Sequence, residues 1–321
     1  MTTSQRSDPP ATVPTLRVRV AIPHFFRERS GGTGYGSGRP GARFARSLAL
    51  GRCLAALLGL ERSGHDLVLN IGRRQLNDSG PLLRGEQALA GIALELHLFT
   101  CGDALLEEVV EQFGDRLTLH RLQLEDPRLL PLATRDWLIQ SDPVSDLVLY
   151  LEDDLVIGDP LFFDKQAWFV AGCQHKAVLM PHRYELIRGR RGQRLLVDGP
   201  LREGFIGQFT RPQRSAGRGQ FWDGQEVVFD RTANPHSGLF CLSEEQVRRL
   251  RRETLPTGGF VGPLETAATL TALRFFTVFK PSLVHRSFLW VEHGHPSFEQ
   301  LAHEWPLENG GQDHEPQAQG G

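Results

Sequence analysis

Three consecutive acids follow an apolar segment in the middle of the chain. Glu152, Asp153 and Asp154 come directly after residues 147–151, which form a continuous apolar run typical of a buried strand. Burying three carboxylates is costly unless positive charge lies opposite them. Mg²⁺ and Mn²⁺ prefer such oxygen ligands, completed by phosphate oxygens and water. The pattern predicts a divalent-cation site, and a solvated acidic turn is the alternative.

The geometry of a strand divides these acids between two faces. Successive side chains of a strand point in opposite directions, so Glu152 and Asp154 are expected on one face and Asp153 on the other. One acid can then hold a metal ion while another holds a sugar.

A further acid and a group of histidines occur late in the chain. Glu265 follows a glycine-proline pair, which is a typical entry into a helix, so we expect it in a first turn. It is either a reactive group or a complement to the helix dipole. His285, His293 and His295 fall within eleven residues, and His293 follows an apolar strand. Imidazole is a common metal ligand, and a packed or surface residue is the alternative for each of them.

Polar residues near two further predicted strands are candidates for ligand contact. His182 and Arg183 place a cation where a phosphate could bind, and Tyr184 adds a ring for a sugar. Residues 234–238 offer donors for sugar hydroxyls, and Trp222 offers an indole face. For each of these, a satisfied loop or ordinary packing is the alternative.

Strands and helices alternate along the first half of the chain. This order predicts a mostly parallel sheet covered by helices, in which ligands bind at the carboxyl ends of the strands. The second half is less regular, with a basic loop or hairpin over 188–218 and Ser243 as a helix N-cap. The predicted strands are 15–22, 65–71, 93–100, 117–122, 145–151, 177–180, 238–242, 275–279 and 288–291, and the predicted helices are 42–60, 103–113, 132–140, 159–170 and 264–273.

The segment 148–155, with the sequence VLYLEDDL, resembles the acidic motif of nucleotide-sugar-dependent glycosyltransferases of the GT-A fold. The resemblance implies that Asp154 binds a divalent metal, Mn²⁺ or Mg²⁺, on the donor diphosphate, and that Glu152 or Asp153 contacts the ribose or the waters of the metal. It implies that His293 is the late histidine that such enzymes supply to the metal. The region around Glu265 is similar to the Gly-x-Glu-Asp region of inverting members, which implies a catalytic base, although Thr266 stands where those members often have Asp.

The resemblance also implies a fold and an activity. The fold is an α/β, GT-A-like, Rossmann-type mixed sheet flanked by helices in a single catalytic domain. That domain spans 15–305, with a nucleotide-binding half (15–155) and an acceptor-binding half (156–305), between disordered tails at 1–14 and 306–321. The implied activity is that of a metal-dependent, hexosyltransferase-like enzyme, which moves a sugar from a nucleotide-diphosphate sugar to an acceptor hydroxyl of a glycan, lipid or small molecule. A sugar-phosphate nucleotidyltransferase and a non-catalytic cation- or carbohydrate-binding protein are the alternatives.

Composition and the remaining motifs argue against other classes. The net charge is −2, so we expect no nucleic-acid partner. The glycines at 36–41 match G-x-G-x-x-G but begin 14 residues after the first predicted strand and include Pro40, which disfavours a dinucleotide-binding turn. Four scattered cysteines argue against a zinc ribbon or a disulfide scaffold. No signal peptide or long apolar run is evident, so we expect a soluble cytoplasmic protein without a transmembrane segment.

Overall fold

The computed structural model describes residues 14–28, 38–142 and 145–307. They form a mixed α/β fold in which helices flank a central, mostly parallel sheet, so the predicted fold class is confirmed. Most of the two predicted tails and most of the glycine-rich segment at 30–38 lie outside the described residues.

The strands of the described residues fall into five sheets. In chain order they are β1 Thr15–Pro23, β2 His65–Asn70, β3 Gln75–Pro81, β4 Leu83–Arg84, β5 Gln87–Ala88, β6 Gly91–Cys101, β7 Thr118–Leu122, β8 Leu147–Leu151, β9 Leu155–Val156, β10 Ala177–Leu179, β11 His182–Leu186, β12 Arg194–Leu196, β13 Gln213–Gln220, β14 Glu226–Arg231, β15 Leu239–Ser243, β16 Thr277–Pro281 and β17 Trp290–His293.

The helices largely follow the predicted positions. They are α1 Arg43–Leu58, α2 Glu107–Phe113, α3 Leu130–Gln140, α4 Phe162–Gly172, α5 Glu203–Ile206, α6 Glu244–Leu250, α7 Pro263–Glu265, α8 Thr271–Phe275 and α9 Leu301–Glu304. The predicted N-cap Ser243 accepts a hydrogen bond from the backbone N–H of Gln246, whose side chain returns to the cap in a capping box. A π-helical segment, Thr266–Leu270, joins α7 to α8.

The central sheet has the strand order β15-β8-β1-β6-β7. Its neighbouring strands are parallel except β15, which runs antiparallel to β8. Every residue of β8 is buried, as an inner parallel strand covered on both faces requires. Apolar side chains of α1 and α2 pack on one face of the sheet, and those of α3 and α6 pack on the other.

Two four-stranded sheets extend the molecule beyond the carboxyl end of β8. One has the order β10-β16-β14-β13 and the other has the order β12-β11-β17-β9. In the second sheet, β17 pairs with β9, which directly follows the three acids. This pairing brings the late histidine segment to the acidic motif.

The predicted strand 65–71 does not join the central sheet. It forms β2 and pairs antiparallel with β3 in a separate hairpin, with Leu67 and Leu69 largely exposed. Pairing with the next segment of chain closes only a short loop and so costs little chain entropy. The predicted strand 65–71 therefore does not contribute to the parallel sheet, in which β6 and β7 are the strands that lie between β1 and β8 along the chain. None of the described helices combines the length and apolarity needed to cross a lipid bilayer.

Candidate active site

Asp153 is held by side chains from two neighbouring elements. His24, which follows β1, places Nδ1 2.5 Å from Asp153 Oδ2, and Arg46 of α1 places Nη2 2.6 Å from Asp153 Oδ1. The other ring nitrogen of His24 accepts a hydrogen bond from the backbone N–H of Leu106, so the proton is assigned to Nδ1, which donates to Asp153. Burial alone would raise the pKa of Asp153, but Arg46 and His24 hold it below its ordinary value.

Asp154 shares the same guanidinium group. Its Oδ2 lies 3.1 Å from Arg46 Nη1 and 3.6 Å from His293 Nε2. Burial opposes ionisation, but His293 and Arg46 lower the pKa of Asp154 far below its ordinary value. The expected alternation, with Asp153 facing away from Asp154, is wrong because the chain turns directly after β8 and the strand geometry ends there.

His293, at the end of β17, connects Asp154 to a fourth element. Its Nδ1 lies 2.6 Å from Oε1 of Glu185 in β11, which also accepts hydrogen bonds from the backbone N–H groups of Ser297 and Phe298. Burial disfavours the charged imidazolium, but Asp154 and Glu185 together raise the pKa of His293 to about 9. The two carboxylates therefore favour the protonated form of the ring at neutral pH.

Glu152 faces a different and deeper set of charges. Its Oε2 lies 3.9 Å from Arg183 Nη1, and its other oxygen is buried with no hydrogen-bond partner among the described residues. Arg183 itself donates two hydrogen bonds to Asp198 Oδ1, and Lys280 Nζ lies 3.0 Å from Asp198 Oδ2. Burial, opposed by Arg183, raises the pKa of Glu152 to about 8.

Gly238 packs directly against the Glu152 carboxylate. The glycine precedes β15 with φ +65°, and a Cβ at this position would lie 2.6 Å from Glu152 Oε2. Only glycine fits both this backbone conformation and this close approach.

Glu265 lies at the junction between α7 and the π-helical segment. Its Oε2 is buried and has no hydrogen-bond partner among the described residues, and the same holds for the hydroxyl of Tyr150. Glu265 is close enough to Glu152 and Tyr150 for its charge to act on both. Buried polar atoms without partners are rare, and π-helical turns are frequent at functional sites. The predicted catalytic carboxylate therefore lies near the acidic motif.

The three late histidines occupy different positions. His293 contacts Asp154 directly, and His295 is near enough to Arg46 and Asp154 for their charges to act on it. His285 Nδ1 instead accepts a hydrogen bond from the backbone N–H of Val228, which fixes it against β14. Among the three, the structure therefore brings His293 into the acidic cluster.

The other predicted contact residues are buried or half-buried and have partners in the surrounding packing. His182 Nε2 lies 2.7 Å from the carbonyl oxygen of Pro281, and Tyr184 packs beside Trp290. Residues 234–238 bond mainly within the protein, since the hydroxyl of Ser237 donates to the carbonyl of Pro181. Trp222 stacks on the neighbouring Phe221.

Two side chains of the acidic cluster, those of Asp154 and His293, could bind a divalent metal. Among the described residues, no group of three or more His, Cys, Asp or Glu side chains is placed to hold a metal ion. Asp154 and His293 nevertheless face one another, and Glu185 on His293 Nδ1 is the outer-shell partner that orients a metal-binding histidine. Mg²⁺ is commonly held by one or two protein ligands together with substrate phosphates and water. The residues present fit such a site, provided that His293 gives up its Nε2 proton.

Sequence reasoning missed His24, Arg46, Glu185 and Asp198. Two of them carried a usable signal. His24 directly follows β1, whose carboxyl end lies beside that of β8, and Arg46 occupies the apolar stripe of α1 three to four residues before Ala49 and Leu50. The contacts of Glu185 and Asp198 depend on segments that are distant along the chain, so the sequence around these two residues does not indicate them.

Comparisons with known proteins found distant structural likenesses. No family model and no curated protein matches the chain. Staphylococcus aureus TarS 1–349 is similar with 13% identity and a TM-score of 0.39, over 83% of this chain and 60% of that one. Its complex with UDP-GlcNAc gives 16% identity and a TM-score of 0.29, over 56% and 37%. GalNAc-T7 with UDP, GalNAc and Mn²⁺ gives 11% identity and a TM-score of 0.42, over 88% and 43%.

These neighbours are nucleotide-sugar glycosyltransferases, the class of enzyme whose acidic motif the segment 148–155 resembles. The chain spans less than two thirds of the length of each of them. With TM-scores below 0.5, the likenesses do not assign an activity to this chain. The functional argument rests on the site itself.

Proposed function

We propose that the protein is a metal-dependent glycosyltransferase that moves a sugar, of the hexose class, from a nucleoside-diphosphate sugar to an acceptor hydroxyl. The observation that carries the proposal is the buried cluster at the carboxyl edge of the sheet, where Asp154 faces a histidine oriented by Glu185. Ligands of open α/β sheets bind at this edge.

In this proposal Asp154 and His293 hold Mn²⁺ or Mg²⁺. When bound, the metal neutralises the negative charge that grows on the diphosphate as the glycosidic bond breaks. Arg46 fixes the two neighbouring carboxylates and adds positive charge beside the diphosphate. Four further residues contribute to donor binding, either by contacting the donor or by fixing the groups that contact the donor: Glu152, Asp153, His182 and Arg183.

Glu265 is the proposed catalytic residue. In an inverting reaction its carboxylate removes the proton of the acceptor hydroxyl as that oxygen attacks the anomeric carbon, and in a retaining reaction it positions the acceptor. Its unpartnered, buried oxygen supports this role because the atom is free to accept a hydroxyl proton.

The proposal is tested by incubating the protein with a panel of nucleoside-diphosphate sugars and Mn²⁺. We expect slow release of nucleoside diphosphate from at least one donor, and loss of that release when the metal is chelated. Asp154→Ala should lower the rate about a thousandfold, which corresponds to roughly 4 kcal/mol of transition-state stabilisation.

Asp103→Ala is the control, because that carboxylate is almost fully exposed and pairs with Arg121 and not with the acidic cluster. A folded Asp154→Ala variant with undiminished release would refute the assignment. Release of pyrophosphate from a nucleoside triphosphate would instead identify a nucleotidyltransferase, and binding without any turnover would identify a non-catalytic protein.

A further inference from the structure

An open cleft of about 520 Å³ lies outside the candidate active site. Four basic side chains line it, Lys176, Arg211, Arg231 and Arg274, and none of its described lining residues is acidic. This volume is within the usual range of about 300 to 1,000 Å³ for ligand sites. In a chain whose charges nearly cancel, such a concentration of one sign is a local feature and not a property of the whole surface.

The cations of the cleft are not neutralised within the described part of the chain. Arg211 and Arg274 have no ion pair or hydrogen-bond partner there, whereas Arg46, Arg52 and Arg62 of the same protein each bind a carboxylate. Arg231 donates one hydrogen bond to Gln213, and its Nε is buried without a partner. Lys176 contacts the neutral side chain of Gln174. The cleft therefore keeps donors and positive charge available for a ligand.

The position of the cleft separates it from the acidic cluster. Lys176 directly precedes β10 and Thr277 begins β16, so the cleft lies at the amino ends of these two parallel strands. Lys280, which belongs to the network beneath Glu152, is at the carboxyl end of β16. At roughly 3.3 Å per strand residue, the three steps from Thr277 to Lys280 place this end of the cleft about 10 Å from that network.

We infer that this cleft is a second binding site, specific for a ligand that bears phosphoryl groups. Guanidinium groups match the geometry of phosphate oxygens, and four cations carry more positive charge than a single carboxylate would neutralise. Phe209 and Phe275 add apolar surface to the lining, which suits an organic phosphate ester better than the bare anion. The inference does not depend on sugar transfer, because it rests on none of the residues of the candidate active site.

The test measures binding of inorganic phosphate, glucose 6-phosphate and inorganic polyphosphate by titration calorimetry, with a chelator present. The variant Arg211→Gln/Arg274→Gln removes two exposed charges that make no hydrogen bond or ion pair among the described residues, so it should fold normally. We expect it to bind at least tenfold more weakly. The variant Arg190→Gln/Arg191→Gln removes the same charge from another exposed loop and should change the affinity less than twofold.

A third variant, Asp154→Asn, separates this site from the proposed donor site and should leave phosphate binding unchanged. Tighter binding of glucose 6-phosphate than of polyphosphate supports the site and identifies its ligand as a free phosphorylated metabolite. Tighter binding of polyphosphate also supports the site and identifies its ligand as an anionic polymer. Equal weakening in the two double-arginine variants, or loss of binding in Asp154→Asn, would overturn the inference.

Discussion

Arg46 supplies the acidic motif with a cation that belongs to the chain itself. One guanidinium group lies within 3.1 Å of both Asp153 and Asp154, and it is almost fully buried. Two adjacent carboxylates repel one another in a low-dielectric environment, so their ionisation depends on this partner. Arg46 is therefore a structural requirement of the site before any ligand arrives.

Replacement of Arg46 by Ala should destabilise the protein by about 3 to 5 kcal/mol, because it leaves buried charges uncompensated. Arg43→Ala is the matched control, since Arg43 lies in the same helix and its ion pair with Glu108 is half exposed. The control should cost at most about 1 kcal/mol. Urea unfolding of both variants measures the difference, and equal losses would contradict the role given to Arg46.

Glu265→Gln tests the proposed base without changing the shape of the side chain. If the carboxylate accepts a proton, the amide should lower turnover by about a hundredfold or more. The unfolding midpoint should stay near that of the wild type, because the buried oxygen has no partner to lose among the described residues. The control is Glu203→Gln, which changes a first-turn glutamate of α5. A rate unchanged across the pH range would remove Glu265 from the mechanism.

At the scale of elements, the segment before β15 is shaped to fit the end of β8. Gly238 has a positive φ and leaves no space for a Cβ against Glu152. The approach is close because β15 pairs antiparallel with β8, so Leu239 lies opposite Leu151 and the two strand ends meet.

Gly238→Ala should destabilise the protein by at least about 1 to 2 kcal/mol, the cost of the left-handed conformation alone. Displacement of the Glu152 carboxylate should weaken activity further. Gly158→Ala is the control, because a Cβ there would meet nothing within 4 Å and its φ is not in the left-handed region. Thermal unfolding compares the two variants, and similar midpoints would show that the close approach carries no cost.

Elements with a strong local pattern could be predicted from the sequence. The apolar run before Glu152 predicted β8, and the apolar strand before His293 predicted the histidine that meets Asp154. The placement of β2 could not be predicted, since an exposed hairpin and a buried strand can share the same apolar run. The partners of Arg183 and His293 also could not be predicted, because Asp198 and Glu185 reach them only through sheet pairing.

At the scale of the whole molecule, buried neutral histidines couple stability to pH. Burial, together with nearby Lys280, lowers the pKa of His182 to about 4, and burial also lowers the pKa of His236 well below its ordinary value. An unfolded chain takes up protons on these rings as the pH falls through about 6.5, whereas the native state does not. The stability that these two histidines contribute is therefore fully present above pH 6.5 and decreases as the pH falls toward 4.

We expect the contribution of His182 to the free energy of unfolding to fall between pH 6.5 and 5, and His182→Asn to remove that part of the pH slope. His303→Asn, which changes an exposed histidine of α9, should leave the slope unchanged. Chemical denaturation at a series of pH values measures both slopes. An identical pH dependence in wild type and His182→Asn would show that this histidine does not contribute.

The acidic cluster draws its side chains from almost the full length of the described chain, from His24 near one end to His293 near the other. No contiguous fragment contains it, and a cut that releases β17 removes the imidazole while leaving the central sheet intact. When limited proteolysis cuts the chain just before β17, the protein should therefore lose activity before it loses secondary structure.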